Sequence, residues 1–144
     1  MVGNGRRIVS GGLKSAAALV GAAALIAAAW TSGTVQEATA TVEMTNRLTF
    51  TSDSVVIGVG ETVEFRNTSA LVHTVTGDPS RSSLDASVHL PEGAEPFHSG
   101  RMKPGETFSH TFESTGTYRY FCVPHEGAKM HGVVVVRDRE DMRE

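Results

Sequence analysis

The sequence has almost no cysteine: Cys122 is the only one in 144 residues. No disulfide bond can therefore form within the chain, and a small disulfide-stapled protein is excluded. The sequence also lacks a basic run, and its formal net charge of −3 at pH 7 argues against nucleic acid as a partner. With 40% hydrophobic and 20% charged residues, the composition is that of one small globular domain, and not that of a coiled coil or a large multidomain enzyme.

Charge is also missing from a long N-terminal stretch. Between Ser15 and Gln36 the sequence carries no charged residue and is rich in alanine, and basic residues precede it. An Ala-Thr-Ala pattern follows at residues 38–40. A basic start, an apolar stretch and a small-residue cleavage site are typical of an export signal.

The same stretch also has the length of an uncleaved anchor, because a membrane-spanning helix needs about 20 apolar residues. We therefore predict that residues 1–40 form a signal peptide or an N-terminal membrane anchor helix. In the second case the protein would associate with the membrane through residues 13–36. Both alternatives predict an exported protein, located in the periplasm or another extracytoplasmic compartment.

The remaining residues, 41–144, are predicted to form one domain of short β-strands. Apolar residues recur with a period of two, at Val42, Met44, Leu48 and Phe50 for example. Strands are predicted at residues 42–50, 55–59, 62–66, 71–76, 107–112, 117–123 and 133–136, with glycine and proline in many of the turns between them. Short strands at this spacing predict an all-β antiparallel sandwich or barrel.

Residues 78–100 interrupt this rhythm. Asp78 and Pro79 are suited to the N-cap and the first position of a helix, and we expect a short helix from there through residues 82–87.

One stretch combines residues that bind metals. Cys122, His125 and Met130 form a Cys-x2-His-x4-Met pattern, and His73 lies 49 residues before the cysteine at the start of another predicted strand. Sulfur ligands favour Cu(I), and imidazole binds copper in both oxidation states. Two histidines, a cysteine and a weak axial methionine are the ligand set of copper sites that transfer electrons. The pattern therefore predicts one bound copper ion.

The isolation of Cys122 supports this interpretation. A buried core cysteine is common, but free thiols tend to oxidise outside the cytoplasm, so an unpaired cysteine in an exported protein needs a reason. Ligation of a metal as the thiolate supplies one.

A zinc site remains an alternative, in which His131 replaces Met130. His73, Cys122, His125 and His131 would give the four firm nitrogen and sulfur donors that zinc prefers. A methionine thioether is a poor zinc ligand, so Met130 at this spacing favours copper.

The sequence does not favour an enzyme. His89, His98 and His110 are predicted to be surface residues, so the further copper sites of oxidases and nitrite reductases are not expected. No serine–histidine–aspartate spacing stands out, and a thiol-protease pairing of Cys122 is disfavoured by the methionine that completes a metal-ligand set.

The motif from Tyr120 to Val134, written Tyr-Phe-Cys-x-Pro-His-x4-Met-x-Gly-x-Val, resembles the copper loop of the cupredoxins, and most closely that of the plastocyanin and pseudoazurin family. The resemblance extends over residues 41–144. It implies a Greek-key β-sandwich with one type 1 copper ion. The implied ligands are His73, Cys122, His125 and Met130. It also implies that redox partners dock transiently near His125, through which electrons would pass.

Two positions depart from the family pattern. Thr74 follows the first histidine where the family often has asparagine, which ties the two ligand loops together; a hydroxyl can still form a hydrogen bond, but its shorter reach predicts a less rigid site. Lys129 precedes Met130 in place of a small residue, and we expect this cation to favour partners with acidic surfaces.

The function predicted is that of a one-electron copper carrier outside the cytoplasm. A copper delivery or storage module without electron transfer is the alternative, since the same ligands would serve it, and a structural zinc sandwich is a third interpretation.

Overall fold

The structure, a computed structural model, describes residues 37–143. Most of the predicted signal or anchor segment lies outside these residues. Eight strands form: β1 Ala40–Met44, β2 Ser54–Gly58, β3 Glu61–Asn67, β4 Thr76–Gly77, β5 Phe97–His98, β6 Thr107–Phe112, β7 Gly116–Phe121 and β8 His131–Arg137. Three 3₁₀ turns complete the elements: η1 Pro79–Arg81, η2 Asp85–Ser87 and η3 Val123–Ala128. Within the described residues, no helix is both long and apolar enough to span a membrane.

The strands form two sheets. One has the order β1-β3-β6 and the other the order β2-β8-β7-β4-β5. The expectation of a purely antiparallel arrangement is wrong at two places, because β1 pairs with β3 and β2 pairs with β8 in parallel. The chain passes from β1 to the other sheet before returning in β3, so these two strands run in the same direction.

The alternation in the sequence places the core between the sheets. Val42 and Met44 of β1 are fully buried, as are Phe65 of β3 and Tyr120 of β7. The ring of Phe65 lies 5.2 Å from that of Tyr120, so the two sheets pack through aromatic contacts. The predicted all-β sandwich is confirmed.

The predicted strand at residues 71–76 is largely wrong. Only Thr76 belongs to a strand, and His73 makes an isolated backbone bridge to Met102. The side chain of Asn67 explains this, because its amide donates hydrogen bonds to the carbonyls of Leu71 and Met102. The N–H of Val75 also donates to the hydroxyl of Ser99 instead of to a backbone carbonyl, so the pairing of this segment with residues 99–102 is irregular.

The predicted helix through residues 82–87 is also wrong, although its beginning is correct. Asp78 caps the η1 turn by accepting a hydrogen bond from the Ser80 N–H at 2.9 Å. The turn ends there because the N–H groups of Ser83 and Leu84 donate to the carboxylate of Glu126. These donors are therefore not available to continue a helix.

Candidate metal centre

The ligand residues predicted from the sequence lie at one end of the two sheets. Cys122 directly follows β7, His125 lies in η3, and Met130 directly precedes β8. His73 reaches the same point from the loop between β3 and β4, where its backbone bridge to Met102 fixes its position.

Three of the four predicted ligands present their donor atoms to a common point. The sulfur of Cys122 lies 3.6 Å from Nδ1 of His73 and 3.4 Å from Nδ1 of His125. The two Nδ1 atoms are 3.1 Å apart. Donor atoms bound to one ion at about 2.0–2.3 Å lie about 3–4 Å from each other. The triangle therefore has the dimensions of a mononuclear metal site.

Met130 is fixed on the same loop. It is 1% exposed, and its carbonyl accepts a hydrogen bond from the N–H of Cys122 at 3.0 Å. Its own N–H donates to the carbonyl of His125 at 3.4 Å. These bonds close the loop from Cys122 to Met130, so the three residues of the sequence motif share one compact turn.

The surroundings of the site differ on its two sides. Cys122 and His73 are fully buried, whereas His125 is partly exposed. Burial raises the pKa of the Cys122 thiol, and the N–H group of Thr74, which donates to the sulfur at 3.3 Å, acts in the opposite direction. Binding a metal as thiolate therefore requires the release of a proton at this residue.

The tautomer of His73 follows from its neighbours. Nε2 of His73 lies 2.9 Å from the hydroxyl of Ser69. That hydroxyl has one proton, which it donates to the amide oxygen of Asn67 at 2.8 Å. Ser69 must therefore accept from Nε2, which leaves the lone pair of Nδ1 directed at the metal position. Burial, and secondarily the neighbouring His125, lowers the pKa of His73, which favours its neutral form.

Thr74 connects the two ligand loops. Its N–H donates to the sulfur of Cys122, and its hydroxyl accepts a hydrogen bond from the N–H of Val123 at 2.8 Å. The second contact spans 49 residues of sequence. The shorter side chain is therefore sufficient to tie the loop of His73 to the loop of Cys122.

Glu126, directly after His125, fixes the ligand loop from the other side. Its carboxylate is buried and accepts hydrogen bonds from the Ser82 hydroxyl at 2.6 Å and from the N–H groups of Ser83 and Leu84. Burial alone would raise the pKa of Glu126, but these hydrogen bonds outweigh it and the pKa is lowered.

The other histidines lie away from this centre. His131 is exposed on β8, and His89 is exposed as well. The expectation of a surface position is wrong for His110, which is half-buried with its ring stacked on Phe97 at 4.1 Å. The expected surface position is only partly correct for His98, which is partly buried and forms a hydrogen bond with Thr76. Among residues 37–143, the only cluster of three or more metal-binding side chains is that of His73, Cys122 and His125.

Sequence reasoning missed Ser69, Asn67 and Glu126. Asn67 and Ser69 form an Asn-x-Ser turn, in which the Asn67 side chain accepts a hydrogen bond from the Ser69 N–H at 3.0 Å. This pattern after a strand indicates a turn, but not a contact with a histidine. Nothing in the local sequence of Glu126 predicts that it contacts a segment more than 40 residues earlier.

The donor set fits copper. Thiolate and imidazole converge within 4.8 Å, and a thioether residue lies on the same loop. Zinc would need a fourth firm donor in place of the thioether, and His131 is not in the cluster.

A buried cysteine and two histidines at the end of a two-sheet sandwich define a mononuclear metal-binding protein with soft ligands. Comparison with known sequences specifies the family to which such a protein belongs. The sequence model of the copper binding proteins, plastocyanin/azurin family, matches residues 36–137, so the chain belongs to this family and its cofactor is copper. Its members are not enzymes, in agreement with the sequence prediction.

Plastocyanins are among the relatives found by sequence. The chain is 37% identical over 94 residues to plastocyanin of Scenedesmus fuscus, covering 62% of this chain and 88% of that one. It is 35% identical over 89 residues to chloroplastic plastocyanin of Pisum sativum, where it covers about half, 52%, of the relative. The predicted resemblance to the cupredoxins, and to plastocyanin in particular, is confirmed.

Solved structures agree on the fold. An oxidized amicyanin variant aligns with a TM-score of 0.55 and 26% identity over 74% of this chain and 88% of its own. A purple cupredoxin from Nitrosopumilus maritimus aligns with a TM-score of 0.53 and 24% identity over 68% of this chain and 99% of its own, a likeness of fold alone.

Proposed function

We propose that this protein is a mononuclear type 1 copper protein that carries single electrons between redox partners outside the cytoplasm. The observation that carries the proposal is the triangle of His73, Cys122 and His125 donor atoms, with sides of 3.1–3.6 Å, held by hydrogen bonds from two separate loops. His73, Cys122 and His125 would hold the copper ion, and Met130 would be the fourth, weak ligand. Copper supplies the one-electron chemistry when it is bound.

The chain's own contribution is to keep these ligands still. Ser69 and Asn67 hold the ring of His73, Thr74 ties Cys122 to the loop of His73, and the Glu126 carboxylate holds the segment next to His125. A site that does not rearrange suits an ion that changes its oxidation state, since a small rearrangement means a low barrier to electron transfer.

Electron exchange would take place through His125, the partly exposed ligand. Apolar side chains are exposed on the segments around the ligands: Leu71, Leu84 and Val123. An apolar surface of this kind suits a docking partner, because its burial is favourable and no polar group has to be desolvated there. Lys129 is exposed and lines a groove with Arg119, His131 and Asp53. The two cations outnumber the one carboxylate, which supports the expectation that acidic partners are favoured.

The location proposed is extracytoplasmic, with residues 1–40 as signal peptide or membrane anchor and residues 41–144 as the copper domain. The boundary between these two parts stays a prediction; β1 begins at Ala40, one residue before it. A delivery role is disfavoured because delivery needs accessible ligands, whereas His73 and Cys122 are fully buried.

Voltammetry of the copper-loaded protein tests the carrier role. A reversible one-electron wave is expected, together with slow loss of copper to an added Cu(I) chelator such as bathocuproine disulfonate. An irreversible wave with rapid loss of copper would support the delivery module instead.

The role of Met130 is tested in the same cell. Met130→Leu replaces the weak axial donor with an apolar side chain. Although a thioether is a soft ligand, the more highly charged Cu(II) loses more than Cu(I) when a donor is removed, so the reduction potential should rise. Met142→Leu is the matched control, because Met142 is exposed near the C-terminus and its replacement should leave the potential unchanged. Equal potentials in both variants would remove Met130 from the ligand set.

A further inference from the structure

A line of hydrogen bonds runs from the ligand loop to a histidine that the copper site does not use. The N–H of Val123 donates to the hydroxyl of Thr74 at 2.8 Å, and that hydroxyl lies 3.0 Å from the hydroxyl of Thr76. Thr76 Oγ1 in turn lies 2.8 Å from Nδ1 of His98. Thr74 is 3% exposed and Thr76 is fully buried, so this relay is shielded from water.

His98 is the one titratable member of the relay, and it is partly exposed. It lies on β5, which pairs with β4 so that His98 is opposite Thr76. Burial lowers the pKa of His98, and two charged residues at η1 act on it as well: Arg81 lowers the pKa and Asp78 raises it. A proton can therefore reach this end of the relay from solvent, while the other end adjoins Cys122.

Each threonine hydroxyl has only one proton to donate, so the donor and acceptor roles of Thr74 and Thr76 can only change together. When His98 is neutral with its proton on Nε2, Nδ1 accepts from Thr76. Thr76 then accepts from Thr74, and the Thr74 proton is used within the relay.

A protonated His98 reverses this order. Both ring nitrogens of the imidazolium are donors, so Thr76 must accept from Nδ1 and donate its own proton to Thr74. The Thr74 hydroxyl then accepts from two neighbours, Thr76 and Val123. Its own proton no longer forms a hydrogen bond within the relay. It can then be donated to the sulfur of Cys122, to which the N–H of the same residue already donates at 3.3 Å.

We propose that His98, through Thr76 and Thr74, is a positioning residue that links the protonation of the surroundings to the electronic state of the Cys122 sulfur. Uptake of one proton at Nδ1 of His98 reverses the relay and adds one hydrogen bond to the sulfur. Hydrogen bonding to the cysteine sulfur tunes the reduction potential of such copper sites. Because a hydrogen-bonded thiolate donates less charge to the metal, the reduced state is favoured at low pH. This inference rests on the proposed function, and it adds a pH-dependent regulation of the same site.

The relay itself is tested first in the metal-free protein by NMR between pH 5 and 8. The amide signal of Val123 should shift with the same midpoint as the ring signals of His98. In Thr76→Val the ring of His98 should still titrate, but the amide of Val123 should no longer follow it. A Val123 signal that follows His98 equally well in Thr76→Val would overturn the relay, whether or not the protein carries electrons.

The consequence is tested in the copper-loaded protein by measuring the reduction potential over the same pH range. The potential should rise as pH falls through the pKa of His98, and this component should be lost in both His98→Gln and Thr76→Val. His89→Gln is the matched control, because His89 is exposed and lies outside the relay. Any pH dependence that arises at the copper ligands is common to all four proteins. If the two relay variants keep the full pH dependence of the parent protein, the proposal is wrong.

The two tests also separate the inference from the proposed function. Absence of a reversible copper wave would contradict the electron-carrier role, while the NMR titration would still decide whether the relay exists.

Discussion

The phenolic oxygen of Tyr120 occupies the space that a side chain at Gly132 would need. The two residues face each other in the register of β7 and β8, and a Cβ added at Gly132 would overlap the Tyr120 hydroxyl. Tyr120 is fully buried, and its hydroxyl has no hydrogen-bond partner among residues 37–143. Burial without a partner raises the pKa of Tyr120 far above its ordinary value. The absence of a side chain at Gly132 is therefore what admits a tyrosine at this core position.

The variant Gly132→Ala should lower the free energy of unfolding by about 1–3 kcal/mol, the usual cost of overpacking a core. Urea denaturation of the metal-free protein measures this. Tyr120→Phe should restore only part of the loss in the double variant, because the ring carbon Cζ, which phenylalanine keeps, would also lie 2.5 Å from the added Cβ. Gly127→Ala is the control, since no atom lies within 4 Å of the position of its Cβ. A double variant as unstable as Gly132→Ala alone would show that the hydroxyl is not the obstacle.

Tyr120→Phe alone should be neutral or stabilising, because it removes a buried polar group that makes no hydrogen bond. The matched variant is Tyr118→Phe. Tyr118 is also buried, but its hydroxyl donates to the carbonyl of Ser114 at 2.8 Å, so its removal should cost about 1 kcal/mol. The difference between the two variants in urea denaturation checks the prediction, and the opposite order of stability would contradict it.

Replacing Glu126 with alanine should loosen the ligand loop. The change leaves the N–H groups of Ser83 and Leu84 without their carboxylate partner, and because both residues are exposed and water can replace it, each lost hydrogen bond should cost about 0.5–1.5 kcal/mol. Hydrogen exchange at Ser83 and Leu84 should become faster, and copper should be lost sooner to a Cu(I) chelator. The control Glu95→Ala changes an exposed carboxylate elsewhere. Unchanged exchange rates in Glu126→Ala would show that the carboxylate does not hold this segment.

The half-buried His110 should make the protein less stable in mild acid. Burial against Phe97 lowers the pKa of His110 below its ordinary value of 6.5. Its contribution to stability is therefore complete above pH 6.5 and is lost as pH falls through the lower pKa of the folded state. Urea denaturation at pH 7.5 and pH 5.5 should show a smaller loss in His110→Phe than in the parent protein. The exposed His89 is the control, and His89→Gln should leave the loss unchanged.

Much of the sandwich could be predicted because one face of each strand is buried. The alternation at Val42 and Met44, and the valine run at residues 133–136, directly predict which side chains face the core. The segment from Leu71 to Thr76 could not be predicted from composition and alternation. Its β-branched residues are typical of a strand. The side chain of Asn67, however, donates a hydrogen bond to the carbonyl of Leu71, and such a contact is not visible in local sequence.

The candidate site also has a part that could be predicted, its ligands, and a part that could not, the residues that support them. Cys122, His125 and Met130 lie within nine positions, so their spacing alone predicts that they share a loop. The supports of the site could not be predicted, because each joins distant segments. Ser82 meets Glu126 across 44 residues, and Thr74 meets Val123 across 49. Neither pair has a pattern in the sequence, since ordinary polar residues serve these roles only where the fold brings them together.

The visible absorption spectrum of the full-length protein loaded with Cu(II) tests the central claim most directly. Direct bonding of the Cys122 sulfur to copper predicts an intense charge-transfer band near the red end of the visible range, and Cys122→Ser should abolish it while the fold is retained. A spectrum with only weak bands, or an intense band that survives in Cys122→Ser, would contradict the account.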